Sequence, residues 1–228
     1  MLILIDIYLM DIKKIKAIIF DMDGVLVDSE PIQAKAIMEV CREFGMEVSE
    51  SECDDFRGRK MEDIFFYAGK KYGIENVPIG EMVKRKIEFY LEFALQDVKL
   101  VAGVREFLDK LKKTQKYRFA LTTSGRKIQQ DQILAKYGLE NFFETMVTSD
   151  DVKNGKPHPE PYILTVEKLN EEPGVCLVIE DSDNGIISAK AAGCQTCGIT
   201  TTFPEDRLKP AGAEIIVSDF YELAKILF

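Results

Sequence analysis

Short apolar runs that end in polar residues mark the predicted strands of this chain. The run Ala17–Phe20 is apolar throughout and is followed by Asp21, Met22 and Asp23. An unbroken apolar run of this length predicts a strand buried on both faces of a parallel sheet, since a half-exposed strand would alternate. Open α/β sheets bind ligands at the carboxyl ends of their strands, so we expect Asp21 to lie at a functional site.

From about residue 99 onward, predicted strands alternate with predicted helices. The strands fall at 117–122, 145–148, 175–179, 196–200 and 214–217, and the helices at 103–113, 127–137, 159–169 and 184–192. This alternation predicts an α/β fold in which a parallel sheet carries helices on both faces.

The segment between the first strand and the alternating region has a helical pattern throughout. Apolar residues at helical spacing predict helices at 31–44, 61–72 and 79–95, with Pro31 favouring a helix start and Gly45 a stop. We therefore predict a core domain made of residues 1–30 and 99–228, with a small all-helical domain, 31–98, inserted after the first strand.

Composition and charge narrow the class of protein. The chain has 228 residues, of which 46% are hydrophobic and 30% charged, as is typical of a soluble globular protein. Its net charge of −9 argues against a nucleic-acid surface and against binding to anionic membranes.

Residues 1–10 are apolar but lack the basic start and cleavage site of a signal peptide, and they are too short to span a bilayer. We expect an extra strand or upstream sequence there, with Met10 as an alternative start, and a cytoplasmic protein.

Five cysteines, an odd number, predict reduced thiols rather than a disulfide framework. Cys194 and Cys197 form a lone CxxC, and with a single histidine in the chain we do not expect a zinc site. A redox pair and a pair of small thiols packed in a strand both fit this spacing, and packing is the expectation.

The first chemical stretch combines two acids and a glycine. Asp21 and Asp23 lie two residues apart at a predicted strand end, and Gly24 follows. Buried acids repel each other and lose solvation, and a hard divalent cation would compensate for both effects. An ordinary acidic turn is the alternative. A calcium-binding EF-hand loop does not fit, because its glycine is the sixth residue and Gly24 is the fourth, counted from Asp21.

Three further polar stretches follow predicted strands or precede helices. Thr123 and Ser124 offer hydroxyls for a phosphate cradle, although helix capping is the interpretation that this stretch favours when taken alone. Lys156 lies in a proline-rich loop, where a fixed ammonium would neutralise phosphoryl charge; a solvated surface lysine is the alternative. Glu180 and Asp181 again place acids after an apolar strand.

Together, these stretches, DMDGV, LTTSG, GKPHPEP and IEDSDNG, resemble the four motifs of the haloacid dehalogenase superfamily of phosphotransferases. The helical insert resembles the cap of the branch that contains β-phosphoglucomutase, phosphoglycolate phosphatase and sugar-phosphate phosphatases. The resemblance implies a Rossmann-like core with strand order 3-2-1-4-5 and a mobile cap.

The resemblance also implies roles for individual residues. Asp21 corresponds to the nucleophile that forms an aspartyl-phosphate, and Asp23 to the general acid–base residue. Mg²⁺ would be held by the Asp21 carboxylate, the Asp23 carbonyl and Asp181, while Glu180 orders a metal-bound water. Phosphoryl oxygens would be bound by Thr123, Lys156 and amides near Gly24, with Ser124 as a further contact.

The expected function is therefore a Mg²⁺-dependent phosphatase of small phosphorylated metabolites, such as sugar phosphates, acting as a monomer. The alternative is a β-phosphoglucomutase-like mutase, but Gln33 stands where those mutases have a cap histidine, and Met61 where they have an arginine. Gly58 and Arg59 are the remaining candidate substrate contacts in the insert. A non-catalytic binding module is a third hypothesis, which the intact set of acids disfavours. Asp23 also disfavours dehalogenation, because dehalogenases lack an acid at that place.

Overall fold

The structure is a computed structural model that describes residues 12–56 and 61–228. The chain divides into two compact units. One unit, the core unit, contains Leu100–Phe228 together with the chain up to Asp28; the other, the helical unit, is Ser29–Lys99. The extra strand or upstream sequence expected for residues 1–10 falls outside the described residues.

A six-stranded parallel sheet forms the centre of the core unit. Its strands are, in chain order, β1 (Ala17–Phe20), β4 (Arg118–Thr122), β5 (Thr145–Val147), β6 (Cys176–Glu180), β7 (Gln195–Ile199) and β8 (Ile215–Val217), and their spatial order is β5-β4-β1-β6-β7-β8. The first five sheet strands therefore follow the predicted order 3-2-1-4-5, and β8 extends the sheet beyond β7. Every residue of β1 and β6 is buried, as the unbroken apolar runs predict.

Six helices connect and cover these strands. They are α5 (Val104–Thr114), α6 (Lys127–Lys136), α7 (Glu160–Leu169), α8 (Asp183–Ala191), α9 (Glu205–Ala211) and α10 (Phe220–Leu227). In α5 the buried residues Val104, Phe107, Leu108 and Leu111 recur at helical spacing, which gives the helix one apolar face. Helix α7 packs on β4 and β5, and α8 packs on β6 and β7. The predicted α/β fold class is confirmed.

The helical unit contains α1 (Glu30–Glu43), α2 (Glu50–Phe56), α3 (Met61–Lys71) and α4 (Ile79–Asp97). Helix α1 packs on α2 and α4, and α3 packs on α4. Val40, Phe65 and Met82 from three of these helices are fully buried, so the unit has an apolar interior of its own. Helix α2 is absent from the predicted set, because a seven-residue helix is too short to give a clear helical period.

Two short strands, β2 (Val27–Asp28) and β3 (Lys99–Leu100), form a separate two-stranded sheet. Two short 3-10 helices, Ile12–Lys14 and Pro173–Val175, complete the described elements. Within the described residues, no helix is both long enough and apolar enough to cross a membrane.

Candidate active site

Three of the predicted polar stretches begin side by side at the carboxyl edge of the sheet. The last residue of β1 is in register with Leu121 of β4 and with Ile179 of β6. The stretches that contain Asp21, Thr123 and Glu180 therefore leave three neighbouring parallel strands at the same level. The sheet order, with β1 in the middle, is what brings them together.

Lys156 joins two of these stretches from the loop that precedes α7. Its ammonium donates to Asp21 Oδ1 at 2.5 Å, to Glu180 Oε1 at 2.6 Å and to the Thr122 carbonyl at 3.3 Å. The side chains of Lys156, Asp21 and Glu180 are only 7%, 9% and 1% exposed. In such a dry site these charge-assisted bonds fix the ammonium in place, so Lys156 is not a solvated surface lysine.

A carboxylate holds the backbone of the loop that carries Lys156. Glu160, the first residue of α7, accepts from the Lys153 N–H at 2.8 Å, from the Asn154 N–H at 3.0 Å and from Asn154 Nδ2 at 2.9 Å. The bonds from Lys153 and Asn154 lower the pKa of Glu160, so it stays ionised at neutral pH. The position of Lys156 is thus set both by its own acceptors and by its loop.

The buried carboxyl groups of this site carry more negative charge than the ammonium of Lys156 can balance. One carboxylate oxygen from each of Asp21, Glu180 and Asp181 lies within 4.8 Å of the other two. Burial raises the pKa of Asp21 to about 8, although Lys156 opposes this shift; the charge of Glu180 adds to it. Burial and the charges of Glu180 and Asp21 also raise the pKa of Asp181 well above its usual value. An all-oxygen donor set with excess negative charge fits a hard divalent cation.

The three acids differ in the oxygens that they leave available. Glu180 accepts five hydrogen bonds, two on Oε1 and three on Oε2. A carboxylate has about four lone-pair sites, so the protein's own donors occupy this one fully. Asp21 Oδ1 is held by Lys156, whereas no described residue donates a hydrogen bond to Oδ2. Asp181 takes one side-chain hydrogen bond, from Thr202, so the carboxylates of Asp21 and Asp181 are better placed to bind a cation than that of Glu180.

Gly24 makes room for the Asp181 carboxylate. Its φ is +74°, and a Cβ at this position would lie 1.8 Å from Asp181 Oδ2 and 2.6 Å from Thr202 Oγ1. The Gly24 N–H donates to the Val27 carbonyl at 2.8 Å, and its carbonyl accepts from Thr201 Oγ1 at 2.5 Å. Because its own N–H is already used, Gly24 contributes space and turn geometry rather than a phosphoryl donor.

Thr123 and Ser124 do not cap the following helix. Helix α6 begins at Lys127, and its N-cap residue is Arg126. Thr123 is buried, and its hydroxyl oxygen accepts from the Gly125 N–H at 3.0 Å, which leaves the hydroxyl proton available to another acceptor. Ser124 is exposed in the same loop. The capping alternative is therefore wrong for these two residues, and the phosphate cradle stays a prediction.

The remaining predicted site residues are Asp23, Gln33, Gly58 and Arg59. Asp23 lies close enough to Asp21 for its charge to raise the pKa of that carboxyl. Asp23 is half-buried and forms an isolated β-bridge with Val27. Gln33 lies in α1 of the helical unit, where its carboxamide oxygen accepts from Lys86 Nζ. Gly58 and Arg59 fall outside the described residues.

Several residues at this edge of the sheet were not predicted from the sequence. Tyr162 of α7 donates to Glu180 Oε1, and Ser182, the N-cap of α8, donates to Glu180 Oε2. Thr201 and Thr202 follow β7 and lie against the Gly24 turn. The two threonines could have been predicted as site residues, because they follow an apolar strand as Thr123 does. Tyr162 gave none, because an aromatic residue in a helix is usually only a core residue.

All five cysteines are buried thiols. Burial raises the pKa of Cys194 and of Cys197 to about 12, so neither thiol forms the reactive thiolate at neutral pH. The structure supports packing over the redox interpretation of the CxxC.

A family model described as haloacid dehalogenase-like hydrolase matches residues 18–199. The chain belongs to the haloacid dehalogenase-like hydrolase family. This confirms the resemblance carried by the four motifs, and with it the prediction of an enzyme.

Relatives within this family indicate the kind of hydrolase. A phosphorylated carbohydrates phosphatase of Thermotoga maritima is 33% identical over 212 residues, which cover 89% of this chain and 94% of the relative. Hexitol phosphatase B of Escherichia coli K12 is 30% identical over 217 residues, or 92% of this chain and 95% of the relative. The crystal structure of a Thermotoga maritima protein provisionally assigned as a β-phosphoglucomutase is 32% identical, with a TM-score of 0.79 over 94% of this chain and 100% of that one.

Proposed function

We propose that this haloacid dehalogenase-like hydrolase is a Mg²⁺-dependent phosphatase that hydrolyses phosphate monoesters of small phosphorylated carbohydrates through an aspartyl-phosphate on Asp21. The observation that carries the proposal is the buried carboxylate of Asp21, which Lys156 holds by one oxygen while the other oxygen receives no hydrogen bond from the described residues. A carboxylate held in this way presents a fixed nucleophile to a phosphoryl group.

In the first step an oxygen of the Asp21 carboxylate attacks phosphorus, and the bond from phosphorus to the substrate's ester oxygen breaks. Asp23 gives a proton to the departing oxygen as general acid. In the second step Asp23 takes a proton from water, whose oxygen attacks the aspartyl-phosphate, and inorganic phosphate leaves with Asp21 restored. Half-burial leaves Asp23 with access both to solvent and to the interior.

Other residues bind and orient the phosphoryl group. Lys156 is cationic and already lies against Asp21, so it neutralises charge on the oxygens of a phosphoryl group that bonds to Asp21. The Thr123 hydroxyl has a proton to donate, and the exposed Ser124 is a further donor in the same loop. In phosphoryl transfer most of the catalytic effect comes from such positioning and charge neutralisation.

The acidic cluster suits Mg²⁺, with Asp21, Asp181 and the Asp23 carbonyl as the residues that would hold it. Glu180, whose oxygens are already engaged by protein donors, would hold Lys156 in place rather than bind the ion directly. A bound Mg²⁺ ion would neutralise negative charge on the phosphoryl group and on the carboxylates.

We assign the helical unit as the cap of the family and its residues Gln33, Gly58 and Arg59 as candidate contacts for the carbohydrate part of the substrate. The names of the two curated relatives support a phosphorylated sugar or sugar alcohol as substrate. The mutase alternative is not favoured, since both relatives are phosphatases and Gln33 replaces the histidine of the mutases.

The test is phosphate release from a panel of hexose phosphates, hexitol phosphates, glycerol 1-phosphate and phosphoglycolate, with and without Mg²⁺. We expect Mg²⁺-dependent release from at least one carbohydrate phosphate and none from the Asp21→Asn variant. Release by Asp21→Asn at the wild-type rate would refute the nucleophile. Isomerisation of β-glucose 1-phosphate that outpaces release would refute the phosphatase.

A further inference from the structure

Tyr162 places a hydroxyl inside the charged cluster although the rest of its side chain is part of the apolar core. The residue is fully buried in the first turn of α7 and belongs to a core cluster with Ile19, Val166 and Val178. Its hydroxyl donates to Glu180 Oε1 at 2.8 Å. A buried tyrosine hydroxyl needs a partner, but a phenylalanine would fill the same core position without one.

Tyr162 and Lys156 share the same acceptor atom. Glu180 Oε1 accepts from Lys156 Nζ at 2.6 Å and from the Tyr162 hydroxyl. Glu180 Oε2 is held separately, by the N–H groups of Asp181 at 3.1 Å and Ser182 at 3.2 Å and by Ser182 Oγ at 2.9 Å. The carboxylate therefore cannot turn to rebalance its bonds, and the number of donors on Oε1 decides how strongly it attracts the ammonium.

The ammonium of Lys156 is divided between two acids. It lies 2.5 Å from Asp21 Oδ1 and 2.6 Å from Glu180 Oε1, and its third bond goes to the Thr122 carbonyl. The Tyr162 ring centroid is 5.1 Å from the same nitrogen, within the range of a cation–π contact. Tyr162 thus contacts Glu180 through its hydroxyl and covers Lys156 with its ring.

We propose that Tyr162 is a positioning residue that keeps the Lys156 ammonium shared between Asp21 and Glu180. Its hydroxyl satisfies one lone pair of Glu180 Oε1, which limits the pull of that oxygen on the ammonium. Without the hydroxyl, Oε1 draws the ammonium toward Glu180 or admits a water, and Asp21 Oδ1 loses its fixed donor. The orientation of Asp21 then loosens although every residue of the proposed catalytic set is still present.

The test compares Tyr162→Phe with a matched control, Thr196→Val. Both changes remove one fully buried hydroxyl from the core unit. The Thr196 hydroxyl donates to the Gly212 carbonyl at 2.9 Å. Thr196 lies at the start of β7, far along the strand from the carboxyl edge of the sheet. The first readout is acetylation of Lys156 by acetic anhydride in the purified protein, followed by mass spectrometry. We expect wild type and Thr196→Val to be acetylated at Lys156 at the same rate, and the rate in Tyr162→Phe to differ from both by at least about fivefold.

The second readout is the kinetics of phosphate release, and this arm rests on the proposed function. We expect Tyr162→Phe to lower kcat about tenfold with KM within about twofold, because an interaction that matters only for the chemical step leaves substrate binding unchanged. Thr196→Val should keep the wild-type kcat.

Equal acetylation of Lys156 in wild type and Tyr162→Phe would overturn the proposal, as would equal effects of both variants on acetylation. A normal kcat in Tyr162→Phe would also overturn it. If the wild type releases no phosphate from any compound, the proposed function fails, and the acetylation comparison still decides the placement of Lys156 by Tyr162.

Discussion

Gly185 offers a stringent test of the Glu180 network, because helix propensity and the observed geometry predict opposite signs. Gly185 is the third residue of α8. Replacing a helical glycine with alanine ordinarily stabilises a helix by roughly 0.5–1 kcal/mol. Here the new Cβ would lie 1.8 Å from Glu180 Oε1, 1.9 Å from Cδ and 2.2 Å from Oε2. All three distances are far below contact distance, so the Glu180 carboxylate has to move.

The size of the effect follows from what holds that carboxylate. Moving it breaks at least one hydrogen bond to a charged group, which costs about 1.5–3 kcal/mol, and overpacking of a buried site costs about 1–3 kcal/mol more. Subtracting the gain in helix propensity leaves a net destabilisation of about 3 kcal/mol for Gly185→Ala. In a chain of this size that lowers Tm by about 6–12 °C.

The assay is thermal and urea unfolding of Gly185→Ala beside Gly80→Ala, together with the rate of phosphate release. Gly80 also lies in the first turn of a helix, α4, but a Cβ there meets no atom within 4 Å. We expect Gly80→Ala to be neutral or slightly stabilising with normal kinetics, and Gly185→Ala to lose both stability and kcat. A Gly185→Ala protein as stable and as active as wild type would refute the rigid Glu180 network.

Three further outcomes follow from the cluster and the thiols. Lys156→Met should abolish turnover. Without Mg²⁺ it should also lower the free energy of unfolding in urea by roughly 3 kcal/mol, because the buried carboxylates of Asp21 and Glu180 lose their cation. Unchanged stability would contradict a stabilising role for these ion pairs. Mg²⁺ at 100 times its Kd should stabilise the wild type by about 2.7 kcal/mol and raise its Tm; an equal rise in Asp181→Asn would contradict that ligand. Burial raises the pKa of four of the five thiols to about 12. Ellman's reagent at pH 8 should therefore label none of these four in the native protein, and all five cysteines in urea. Rapid labelling of one of the four in the native protein would contradict their burial.

The sheet could be predicted because its strands are buried on both faces. Unbroken apolar runs such as Cys176–Ile179, separated by helical periods, leave few alternatives to a parallel sheet. Elements with few residues escaped prediction. Strands β2 and β3 have two residues each, and α9 has seven residues with Pro210 inside it, so none of them shows a readable period.

The candidate site could be predicted as far as it follows the strand-end rule. Asp21 and Thr123 come directly after β1 and β4, Glu180 is the last residue of β6, and parallel strands end at one edge. Contacts that depend on packing left no trace in the sequence. The shared acceptor of Lys156 and Tyr162 depends on how α7 packs beside the sheet. The space that Gly24 provides for Asp181 likewise depends on where β6 ends relative to β1.

Trapping the covalent intermediate tests the proposed role of Asp21 as the nucleophile. The enzyme is mixed with its best substrate and Mg²⁺, quenched in acid during turnover and reduced with borohydride, which converts an aspartyl-phosphate to homoserine; peptide mass spectrometry then locates the change. We predict homoserine at position 21 only when substrate and Mg²⁺ are both present. Turnover with an unmodified Asp21, or with the modification at another residue, would contradict the account.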